Sequence, residues 1–147
     1  MKPEHSKYLI AVILIYSLVY PLTAIAQSLN QQLLMARQLE HQGRIQSARD
    51  LLETLYKNHP RNNAVFSQYA GILMKTQSFQ KLLDLITKRE EKRKSNLEHS
   101  LLKARVYYRQ AEYEQAMQIW NTLLKKNSSD KLIYYRVASS MISERLL

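Results

Sequence analysis

The sequence contains no cysteine, which excludes disulfides, a thiolate nucleophile, thiolate metal ligands and a lipid-modified cysteine. The fold must therefore be held by packing alone. Glycine occurs twice and proline three times. Many short strands joined by tight turns would need far more of both, so helices are favoured. Two glycines also cannot build a glycine-rich phosphate loop or a nucleophile elbow, and no HExxH helix appears. Four histidines are present, and none has a second histidine at a metal-ligand spacing. His41, His59 and His99 fall near helix ends or turns, where a solvated surface role is expected, because a metal site needs three or four converging ligands. The sequence thus points to no enzyme, no metal and no cofactor.

The chain has 147 residues, 46% hydrophobic and 23% charged, the balance of an ordinary globular domain. Its formal charge is +10 and its pI about 9.8. Residues 1–7 carry Lys2 and Lys7 and precede an apolar run from Tyr8 to Tyr20, broken by Pro21. Ala24 and Ala26 then stand at the two small-residue positions of an A-x-A site. This layout predicts a secretory signal over 1–26, cut before Gln27. An uncleaved anchor is the alternative, since Tyr8 to Ala26 approaches the roughly 20 apolar residues that span a bilayer. Either way the rest of the chain is expected to be exported, periplasmic or held at the membrane facing the periplasm.

Laid against itself at an offset of 34, the chain brings Ala36, Ala70, Ala104 and Ala138 into one column without a gap. Leu39, Leu73, Tyr107 and Met141 form a second column, and Ile45, Phe79, Tyr113 and Leu147 a third. Ala48, Leu82 and Ala116, followed by Leu52, Ile86 and Trp120, mark one apolar face of a second helix in each period. A 34-residue period with two helices resembles the tetratricopeptide repeat family. The resemblance covers residues 29–147 and implies an all-α, right-handed α-solenoid of helix-turn-helix repeats. Its repeats fall at 29–62, 63–96 and 97–130, with a half repeat at 131–147, so that 27–147 forms one repeat domain.

In that family two small residues meet where the paired helices cross, as Ala36 with Ala48 and Ala104 with Ala116 do here. Gly43 matches the glycine that often ends the first helix. The second repeat departs from the pattern with Leu82, Arg89 and Lys94, and looser packing is expected there. The spacing predicts seven helices over 28–42, 45–58, 63–76, 79–93, 97–110, 113–127 and 131–146. Asn62 or Asn63, Ser78, Asn96 and Ser129 or Asp130 stand where short polar side chains cap helix starts. Tyr134, Val137, Ala138 and Met141 are expected to cover the third repeat. Ile133, Ile142, Leu146 and Leu147 would then be left over. A chain whose array once continued, or self-association through the last helix, would each account for that surplus. The run from Lys88 to Lys94, with Glu90 and Glu91 inside it, is expected to be a solvated helix end.

By the family's geometry the first helices line a groove. The resemblance places Arg37, Lys75, Leu101, Arg105, Tyr108, Arg109 and Tyr135 on it. Such a groove suits a protein or peptide partner that is acidic or has a free C-terminal carboxylate, because arginine forks match carboxylates and aromatic rings anchor at low entropy cost. The lysine-and-asparagine clamp of some family members is not reproduced, since Ser67 and Gly71 occupy the middle repeat. The resemblance therefore implies a non-catalytic interaction scaffold of the cell envelope. A fragment of a longer repeat protein, with no independent role, is one alternative. Another is a basic binder of anionic surfaces or nucleic acid, although export argues against nucleic acid.

Overall fold

The structure is a computed structural model that describes residues 28–92, 96–126 and 129–144. The segment with the expected export signal lies outside the described residues, and so do Lys94, Leu146 and Leu147. Among the described residues the fold is all-α, with seven helices and no strand. These are α1 over 28–41, α2 Ile45–Asn58, α3 Asn63–Lys75, α4 Phe79–Lys92, α5 Leu97–Arg109, α6 Tyr113–Lys126 and α7 Lys131–Ser143. No described helix is long and apolar enough to cross a membrane.

The helix starts follow the caps. Asn62 Oδ1 accepts the backbone N–H of Ala64 and Val65 at 2.9 and 3.1 Å. Asn96 Oδ1 accepts that of His99 at 2.9 Å, and Asp130 Oδ1 accepts those of Leu132 and Ile133 at 2.9 and 3.3 Å. Each cap satisfies amides that have no partner within the first helical turn.

Three helix ends share one turn geometry. Arg44 N–H donates to Leu39 O at 2.9 Å, Ser78 to Leu73 O at 2.9 Å, and Glu112 to Tyr107 O at 2.9 Å. This six-to-one bond closes the helix around a residue in the left-handed region. That residue is Gly43 (φ 74°) in the first turn, but Gln77 (φ 54°) and Ala111 (φ 63°) in the others.

The packing divides into two compact units, one ending at Ile72 and the other beginning at Leu73. In the first, Ala36 and Ala48 are fully buried with Leu39, Leu52 and Leu55. Ala48, Leu52 and Leu55 are spaced to share one face of α2. Tyr56 packs its ring against Phe66 and Tyr69, at centroid distances of 6.3 and 5.7 Å.

In the second unit Leu101, Ala104, Ala116, Trp120 and Val137 form one buried cluster, with Ile133, Leu123 and Met141 packed against it. Ala104 and Ala116 are completely buried, as a close crossing of α5 and α6 requires. Leu82 and Ile86 of α4 are also completely buried, so the larger side chain in the second repeat is accommodated without exposure.

Three expectations from the sequence are corrected here. His99 is buried, not solvated, because it lies on the face of α5 that meets α4, with its Nδ1 3.8 Å from Glu90 Oε1. Within the basic run, Arg89 is buried and Glu90 is paired with Lys103, while Lys88 and Glu91 are exposed, so this stretch of α4 is solvated on one side only. On α7, Tyr134 is exposed, and Ile133 packs inward in its place. The inward stripe is set by Val137 and Ser140, the latter accepting a hydrogen bond from the Trp120 indole at 3.2 Å.

Candidate functional site

Arg105 and Arg109 are one helical turn apart on α5 and share a face. Both reach the residue that ends α7. Arg105 Nε lies 2.8 Å from Glu144 Oε1, and Arg109 Nε lies 2.7 Å from Glu144 Oε2. Glu144 is the C-cap of α7, and its backbone N–H turns back to the carbonyls of Met141 and Ile142. The carboxylate is only 5% exposed, whereas the arginine side chains are 32% and 36% exposed. Burial acts to raise the Glu144 pKa. Hydrogen bonds from Arg109 and Arg105, with the charges of both, outweigh that and hold it below the ordinary value.

Tyr108, between the two arginines, is half-buried against Tyr113 and Trp120, at centroid distances of 5.0 and 6.1 Å. Its ring supports the core more than it offers a free surface. Leu101 is buried in the same cluster. Tyr135 is 72% exposed, and Leu132, Tyr134 and Ile142 are exposed with it. An ion pair between Arg136 and Glu98 further ties α7 to the start of α5.

The repeat register relates α7 to α5. Tyr135 stands one period after Leu101, Ala138 after Ala104, and Ile142 after Tyr108. In the third repeat α6 packs on α5 and buries Leu101 and Ala104. Among the described residues α7 has no such second helix after it; Tyr135 and Ile142 are exposed and Ala138 is half-buried.

In the first unit the Gln68 amide, oriented with its oxygen toward Arg37, accepts from Arg37 Nε and Nη2 at 3.1 and 3.2 Å. Its nitrogen then donates to Leu33 O at 3.1 Å. Lys75 is exposed and closes α3. Of the seven residues expected to line a groove, the structure thus brings Arg105, Tyr108, Arg109 and Tyr135 onto α5 and α7. Leu101 lies beneath that face, in the core.

Sequence reasoning missed Glu144. The only signal is its column: Gln42, Thr76, Gln110 and Glu144 share the position after the first helix of each repeat, and only the last is acidic.

The tetratricopeptide repeat model matches residues 32–62 and 100–129, the first and third repeats of the 34-residue register. Over those residues the chain is similar to the tetratricopeptide repeat family. The crystal structure of a tetratricopeptide repeat protein from Parabacteroides merdae has a similar fold, with a TM-score of 0.56 and 21% sequence identity. The match covers 82% of this chain and 48% of that one, so the chain spans about half the length of that relative. No curated protein matches it. Tetratricopeptide repeats generally serve as protein-interaction scaffolds.

Proposed function

We propose that this tetratricopeptide repeat chain is a non-catalytic scaffold of the cell envelope that holds a protein segment on the face formed by α5 and α7. The observation that carries this reading is the exposed stripe on α7, with Tyr135 at 72% exposure, on the helix whose end is held by the arginine pair of α5. A large amphipathic ring with few rotatable bonds and partly exposed arginines are both residue types that serve as interface anchors. A contiguous exposed apolar patch also needs a partner more than scattered surface leucines do. The envelope location rests on the lysine-led apolar run and the A-x-A site of residues 1–26.

A photo-cross-linking residue at position 135 of the full-length chain tests both parts, with the exposed position Gln46 on α2 as control. The expected result is a discrete protein adduct from position 135, recovered in the envelope fraction and absent from position 46. Equal adducts from both positions would refute the binding face. Recovery only in the cytosol would refute the location.

A further inference from the structure

The arginine pair already holds a carboxylate, that of Glu144, and this bears on how a partner can use the face proposed above. Each oxygen of Glu144 takes one Nε–H, so a single carboxylate bridges both guanidinium groups through one donor of each. The occupant is shut off from solvent while about a third of each arginine side chain is not. An incoming anion can therefore meet the arginines before Glu144 leaves.

We propose that Glu144 is the resident occupant of a carboxylate site made by Arg105 and Arg109, and that an acidic protein segment binds by exchanging its own carboxylate for Glu144, loosening the last turn of α7. This rests on the binding face assigned above and adds its regulation.

The exchange sets a threshold on the partner. Glu144 belongs to the same chain and is presented at an effective concentration of about millimolar or higher, by analogy with short tethers. A lone carboxylate at micromolar concentration cannot displace it. A segment with several acidic residues can, because a second carboxylate rebinds before the first is lost. The closed state lowers the apparent affinity of any such segment by the fraction of molecules that are open. Removing the Glu144 charge should then strengthen binding, whereas loss of a merely structural ion pair would leave it unchanged or weaken it.

Anisotropy of a fluorescein-labelled tetraglutamate peptide titrated with the full-length chain reads this out. Glu144→Gln is expected to bind at least about tenfold tighter than the unsubstituted chain. Adding Arg105→Gln and Arg109→Gln to that variant should abolish the gain, which separates the site from the general basicity of the surface. Equal or weaker binding by Glu144→Gln, or a gain that survives in the triple variant, overturns the proposal.

Should Glu144→Gln lose helical circular dichroism, hydrogen exchange of the unsubstituted chain decides the matter. Saturating peptide should speed exchange of the Ser140–Ser143 amides, and unchanged or slower exchange overturns the exchange mechanism. A persistent adduct from position 135 together with no gain in Glu144→Gln would overturn the latch and leave the scaffold reading standing. Loss of the adduct would remove the scaffold reading itself.

Discussion

Trp120 donates its indole N–H to Ser140 Oγ across 3.2 Å, in a contact closed to solvent on both sides. The bond accompanies the packing of Val137, Ile133 and Met141 against the third repeat. With Val137 and Ser140 turned inward, Glu144 meets Arg105 and Arg109 while Tyr135 stays outside. Core packing and the candidate binding face are thus consequences of one helix register.

Ser140→Ala should leave a buried indole N–H without its acceptor, at a cost of about 1–3 kcal/mol. Urea unfolding followed by circular dichroism measures the loss. Emission from the single tryptophan reports the changed environment directly. The exposed neighbour Ser139→Ala should change neither.

The turn after α5 holds Ala111 at φ 63°, a conformation that suits glycine. Ala111→Gly should stabilise the chain by about 1 kcal/mol, since a side chain in the left-handed region is disfavoured by roughly 1–2 kcal/mol and glycine gives part of this back through its freedom when unfolded. Gln77→Gly should act in the same direction. The midpoint of thermal unfolding is the measurement.

Much of the fold was legible because one period governs it. Helices α2, α4 and α6 begin at Ile45, Phe79 and Tyr113, each 34 residues after the last, and the alanine columns mark the buried crossings. Caps at Asn62, Asn96 and Asp130 were readable from local chemistry alone. His99 was not, because a polar residue beside a helix start gives no sign that a neighbouring helix will cover it. Nor were the glycine-like turns at Gln77 and Ala111, where the bond across the turn overrides residue preference. The Glu144 pairing joins residues 39 and 35 positions apart, and depends on how α7 seats on α5. No spacing rule reaches that far.

Two groups give stability a pH dependence with different windows. Burial holds His99 below its ordinary pKa of 6.5, and the nearby Glu90 offsets this only in part. The unfolded chain takes up that proton first, so stability should fall as pH drops below about 6.5. Glu144 is held below its ordinary 4.5, so its contribution is present above that pH and is lost at more acidic values. His99→Gln should flatten the stability profile just below pH 6.5 and leave the acid limb in place. Urea midpoints measured across pH give both limbs.

Hydroxyl-radical footprinting of the full-length chain, with and without the partner captured from position 135, tests the central claim that α5 and α7 form the binding face. Met35 on α1, also exposed, provides the reference. Partner binding should slow oxidation of Tyr135 severalfold and leave Met35 unchanged. Undiminished oxidation of Tyr135 in the complex, with protection at Met35 instead, would contradict it.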